Sequence, residues 1–105
     1  MKFVGVTACP SGVAHTYMAA EALTRCAKAK GIDMKVETQG SIGTENSLTM
    51  EDIKQADAVI LTKDIEIRGK ERFEGKIIVN VGVSDVIRKT DTLIDKVAAY
   101  VASKK

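Results

Sequence analysis

The chain has no tryptophan, one proline, one histidine and two cysteines among its 105 residues. Two thiols and a single imidazole cannot complete a typical zinc site, and Cys9 and Cys26 lack the setting of a disulfide framework. Reduced thiols in a cytosolic protein are the expectation, with neither metal nor cofactor. With two Tyr and two Phe, there is no aromatic platform on which bases would stack. A formal net charge of +2 is too small and too mixed to imply a nucleic-acid partner. No apolar run approaches the length of a membrane span, which argues against membrane insertion. The opening Met1-Lys2-Phe3-Val4-Gly5-Val6 is too short and too strand-like for a signal peptide. Repeats, low-complexity tracts and linkers are all missing, so residues 1–105 are expected to form one domain.

What is present alternates between strand and helix. Lys2 to Ala8 is a short β-branched and aromatic run that stops at Cys9-Pro10. Val13 to Lys30 has a helical period, with Ala14, Met18, Ala22 and Cys26 on one side and Gly31 placed as the residue after the helix. Met34 to Thr38 reads as a second strand, and Gly40-Ser41-Ile42-Gly43 as a loop. Thr49 and Asp52 pair as an N-cap for a helix over Met50 to Ala56. Ala58 to Thr62 is apolar without alternation, as in a strand covered on both faces. The charged stretch Lys63 to Gly75, including Asp64, Glu66, Arg68, Lys70, Glu71 and Arg72, reads as solvated surface, with a docking role as the alternative. Lys76 to Val81 gives a fourth strand and Ser84 to Lys89 a brief turn. A last helix opens at Asp91 or Thr92 and carries Leu93, Ile94, Val97, Tyr100 and Val101 at helical spacing. The fold class predicted is α/β: an open, parallel four-stranded sheet flanked by helices, a Rossmann-like or flavodoxin-like three-layer sandwich with right-handed crossovers.

In such sheets ligands bind beyond the carboxyl ends of the strands, where the strand order reverses. Cys9 ends the first strand there, and a helix begins just after it. A helix N-terminus offers unpaired N–H groups and partial positive charge, and a compact loop adds further amides. Ser11, Gly12, Val13 and Ala14 let the backbone approach a phosphate closely, and Ser11 and Thr16 add candidate hydroxyl donors. The same field favours thiolate at Cys9 and makes it a nucleophile near neutral pH. His15 has three readings: a donor to a phosphoryl oxygen, an aid to proton transfer, or packing in the first turn. Cys26, deep in the helix, reads as core filling. Thr38-Gln39-Gly40-Ser41 follows the second strand towards the same crevice, and Ser41 is a candidate for the docking surface.

Two families share a loop of this kind. The low-molecular-weight tyrosine phosphatases have a cysteine, five residues, an arginine and Ser or Thr after the first strand. Here Cys9 is followed by Pro10-Ser11-Gly12-Val13-Ala14 and then His15-Thr16, so the arginine is missing and hydrolysis loses its bidentate, fixed charge. The segment "TACPSGVAHTYMAAEAL" more closely resembles the fructose-type enzyme IIB of the bacterial phosphoenolpyruvate-dependent sugar phosphotransferase system. That family usually reads CPTGVAHT; Ser11 replaces a threonine and keeps the hydroxyl. The likeness extends through "VETQGSIGTENSLT", "ADAVILTKDIEI" and "RFEGK". It implies that Cys9 accepts a phosphoryl group from a phosphohistidine of enzyme IIA. Cys9 would then pass it to a sugar, fructose or similar, held by the membrane-embedded enzyme IIC, with no metal or nucleotide. The competing expectations are a phosphatase-like hydrolase and a redox or anion-binding module built on Cys9.

Overall fold

The computed structural model describes residues 1–8, 13–40 and 43–104, and for Val13, Ala14 and His15 the backbone alone. Four strands, β1 (Lys2–Ala8), β2 (Asp33–Gly40), β4 (Ala58–Thr62) and β5 (Ile78–Val81), run parallel, as the apolar runs predict. A short fifth strand, β3 (Gly43–Glu45), pairs antiparallel with the end of β2, which makes the sheet mixed, in the order β3-β2-β1-β4-β5. The sequence assigns Gly43 to a loop and gives Thr44 and Glu45 no element. β3 has little apolar content and lies half-buried to exposed at the sheet edge, so no hydrophobic period marks it.

Helix α1 (Val13–Ala29) follows β1, α2 (Met50–Gln55) precedes β4, and α3 (Val83–Arg88) and α4 (Thr90–Lys104) follow β5. A 3-10 turn, Lys70–Phe73, lies between β4 and β5. Alternation along β1 and β4 divides the interior into two layers. Phe3, Ala58 and Ile60 pack with Leu23, Val86, Ile94, Val97 and Val101 of α1, α3 and α4. Val4, Val6, Val59 and Leu61 pack on the opposite face with Ile53 of α2 and Phe73 of the 3-10 turn.

Local signals explain the ends of these elements. Ile32 N–H reaches the Ala27 carbonyl at 2.8 Å and Gly31 N–H the Lys28 carbonyl at 3.1 Å. With Gly31 at φ +74°, this is the Schellman stop expected of that glycine. The capping box of α2 is complete, with Asp52 N–H donating to Thr49 Oγ1 at 3.0 Å and Thr49 N–H to Asp52 Oδ2 at 2.9 Å.

One helix face differs from the sequence reading. The residues of α1 buried in the core are Ala19, Leu23 and Ala27, whereas Met18 is 51% exposed and Ala22 and Cys26 are partly buried. Two adjacent rows of α1 both repeat every four residues, and the period alone does not separate the row of Ala14, Met18, Ala22 and Cys26 from that of Ala19, Leu23 and Ala27. Leucine decides between them because it has the larger apolar surface to bury. Cys26 thus sits at the border of the core and does not fill it. Its thiol donates to Asp91 Oδ1 at 2.9 Å, and burial, followed by the Asp91 carboxylate, pushes its pKa up to about 11. The shift favours the thiol over the nucleophilic thiolate at neutral pH.

Candidate phosphoryl-transfer site

Setting β3 aside, the parallel strands stand in the order β2-β1-β4-β5, so the connections leaving β1 (to β2) and β4 (to β5) run to opposite sides and diverge between β1 and β4. The carboxyl end of β1 is therefore the switch point where α/β sheets bind ligands. Two threonines hold it. Thr62, the last residue of β4, accepts from Ala8 N–H at 2.9 Å and donates to the Ala8 carbonyl at 3.1 Å. Thr7 Oγ1 donates to the Thr16 carbonyl at 3.1 Å, fastening the first turn of α1 to the strand it follows. Both flanks of the segment 9–12 are thus pinned by buried hydroxyls.

Cys9, Ser11 and Gly12 lie outside the described residues, as does Ser41. Val13, Ala14 and His15 lead α1, so their N–H groups have no carbonyl one turn earlier within the helix. The first turn has no acidic residue to offset its positive end. Thr16 is 1% exposed. Among the described residues its Oγ1 is the one buried side-chain oxygen or nitrogen without a hydrogen-bond partner. A buried hydroxyl left unpaired costs about 1–3 kcal/mol, and this one lies in the leading turn of α1. A cleft of about 280 Å³, lined in part by Thr62, Lys63, Ile65 and Asn80, opens at the carboxyl ends of β4 and β5.

Beside this site lies a buried polar cluster that the sequence reading missed. Arg72, expected on a solvated surface, turns inward: Nη1 and Nη2 donate to the two carboxylate oxygens of Glu37 at 2.9 and 3.0 Å. Glu37 also accepts from Leu48 N–H at 2.9 Å and from Gln39 Nε2 at 2.8 Å. Burial alone would raise the Glu37 pKa, but the Arg72 guanidinium, the Leu48 amide and the Gln39 carboxamide outweigh it and hold the carboxyl below its ordinary value. The only signal in the sequence was a glutamate within a strand otherwise destined for burial. Gly69, at φ +73°, allows the turn: a Cβ there would lie 2.7 Å from Arg72 Nε. A second link crosses the rim, where Tyr17 Oη donates to Glu45 Oε1 and joins α1 to β3.

The sheet order and the helices on both of its faces define a flavodoxin-like α/β domain. Comparison with known proteins narrows this. A model of the family described as "PTS system, Lactose/Cellobiose specific IIB subunit" matches residues 4–96. The "PTS system fructose-like EIIB component 2" of Escherichia coli K12 is 62% identical over 101 residues, covering 96% of this chain and 95% of that one. The "PTS system fructose-specific EIIABC component" of Bacillus subtilis is 46% identical over 95 residues, which are 90% of this chain and 15% of that protein. Among solved structures, the Enzyme IIB subunit of Escherichia coli K12 superposes with a TM-score of 0.91 at 36% identity, covering 98% and 95% of the two chains. An arsenate reductase from Corynebacterium glutamicum, 13% identical with a TM-score of 0.56, shares the fold alone.

The chain belongs to the IIB family of the phosphotransferase system, and it is a phosphocarrier subunit. The hydrolase alternative is not favoured. Among the described residues no helix is long and apolar enough to cross a membrane.

Proposed function

We propose that Cys9 is the phosphoryl acceptor of this carrier, taking the group from a phosphohistidine of enzyme IIA and giving it to a sugar held by enzyme IIC on the cytoplasmic side of the membrane. The observation that carries the reading is the buried, unpaired Thr16 hydroxyl in the leading turn of α1, directly after the pinned end of β1. Ser11, Gly12, Val13, Ala14, His15 and Thr16 are the proposed phosphate cradle, through main-chain N–H groups and the hydroxyls of Ser11 and Thr16. The helix field favours the Cys9 thiolate as nucleophile and later as leaving group.

In the first step the S–P bond forms as the P–N bond to the donor imidazole breaks. In the second a sugar hydroxyl oxygen attacks phosphorus, its proton passing to a base of the acceptor component, and the thiolate leaves. In both steps charge on the equatorial oxygens meets fixed donors, while the partner positions the reacting atom. The names of the relatives favour fructose or a fructose-like sugar. Where the phosphatases carry arginine, this chain has His15, which cannot supply a permanently charged bidentate grip. A phosphocysteine that resists water and yields to an oriented hydroxyl follows from that difference.

The test is labelling of the chain by phosphorylated enzyme IIA, read by mass spectrometry under conditions that preserve the thiophosphate ester. One phosphoryl group on Cys9, and no labelling or sugar phosphorylation in Cys9→Ser, is the expected result. Label on another residue, or rapid turnover of an aryl phosphate without any partner, would overturn it.

A further inference from the structure

We infer that Arg68 is a rim cation that draws an acidic face of the phosphoryl-donor protein onto the Cys9 site; this rests on the reading of that site given above. Arg68 is exposed, yet its main-chain N–H and carbonyl are both hydrogen-bonded. Its N–H donates to Gln39 Oε1 at 2.8 Å, and its carbonyl accepts from Gln39 Nε2 at 2.8 Å and from Arg72 Nη2 at 3.1 Å. Gln39 is itself buried, bonded to Glu37, and is the cross-strand partner of Ala8, the residue before Cys9. Arg68 is therefore fixed to the strand next to the nucleophile's own strand, at the same edge of the sheet.

The clamp uses only the main chain of residue 68 and would hold any side chain there. The guanidinium is thus free of the structural task. Its one polar contact among the described residues is a long one, Nη2 to Thr44 Oγ1 at 3.4 Å. The ion pairs of the described residues occupy Lys2, Arg25, Lys30, Lys35 and Arg72, and none involves Arg68. A fork of N–H donors on a fixed backbone, with no carboxylate partner among the described residues, is suited to carboxylates on a docking protein. Because the side chain's one described polar contact is with β3, which β2 separates from β1, its target is the partner's surface and not the transferring phosphoryl group. Charges at such a rim act chiefly on the rate of encounter and on its dependence on salt.

The experiment measures the second-order rate of phosphoryl transfer from phosphorylated enzyme IIA to the full chain across a series of salt concentrations. At low salt Arg68→Ala is expected to lower the rate about 3–10-fold and Arg68→Glu further, with the gap closing as salt rises. Arg68→Lys should keep most of the rate. Melting temperature and the final extent of labelling should not change. Transfer from phosphoramidate, a small P–N donor with no protein surface, should be unaffected. Arg68→Glu with an unaltered salt dependence would overturn the inference, and so would an equal loss with phosphoramidate, which would set the side chain against the phosphoryl group itself. Wild-type protein labelled elsewhere than Cys9 would sink the site reading instead, a separate result.

Discussion

A threonine hydroxyl buried without a partner is a small liability that a ligand can remove. Thr16→Val keeps the shape of the side chain and deletes the hydroxyl, so without anion the variant should be as stable as the parent or up to about 1 kcal/mol more stable. Its rate of phosphoryl acceptance should fall about tenfold or more, the scale of one lost donor to a charged transition state. Chemical denaturation and single-turnover labelling on the same samples check both signs. A destabilised variant with an unchanged rate would make Thr16 a packing residue only. The Glu37–Arg72 pair is uneven in the opposite sense. Glu37 keeps 2% of its side-chain surface exposed and Arg72 keeps 24%. Arg72→Met would strand a buried carboxylate and should cost about 3–5 kcal/mol at neutral pH, whereas Glu37→Gln leaves a guanidinium that can turn to water and should cost less. The pH dependence follows from the sign of the shift. In the parent the Glu37 pKa is lowered, so its contribution is present above the unfolded carboxylate value near about 4.3 and is lost as pH falls through the folded value. In Arg72→Met burial raises that pKa, and stability should instead increase as pH falls. Urea melts between neutral and mildly acid pH distinguish opposite slopes from parallel ones.

Among the elements, those marked by a local rule were legible and those made by pairing were not. The four parallel strands followed from short apolar runs, the α1 stop from Gly31, and the α2 start from Thr49 and Asp52. These signals act within a turn or two of chain. For the same reason Thr49→Ala should cost about 1 kcal/mol of global stability; a change below a few tenths in the denaturation midpoint would mean that tertiary packing alone holds α2. β3 escaped because its hydrogen bonds come from β2 and its side chains bury little. Arg72 escaped because a charged stretch of the composition of 63–75 is indistinguishable from a solvated face until Glu37, 35 residues away, is brought beneath it. In the candidate site, the role proposed for Cys9 rests on the sequence alone, on its place between a strand and a helix. The pinning threonines were not legible there, since Thr62 reaches Ala8 across 54 positions.

At the scale of the molecule, one sheet serves two interiors. β1 and β4 send Phe3 and Ile60 into the layer under α1, α3 and α4, and Val4, Val6, Val59 and Leu61 into the layer under α2 and the 3-10 turn. Neither layer keeps its shape if the shared strands separate, so the whole chain should unfold as one unit. Leu23→Ala opens the first layer and Phe73→Ala the second, and each should lower stability by about 2–5 kcal/mol. The two residues lie on opposite faces of the sheet and fall in different packed clusters. The double variant should therefore lose the sum of the single costs to within about 0.5 kcal/mol. Each variant should still show a single transition with agreeing calorimetric and van't Hoff enthalpies. A second transition in Phe73→Ala, with the α1 layer still folded, would show that the layers melt separately. The carboxyl ends of β1 and β4, where Thr62 holds Ala8, would then rest on one interior and not on both.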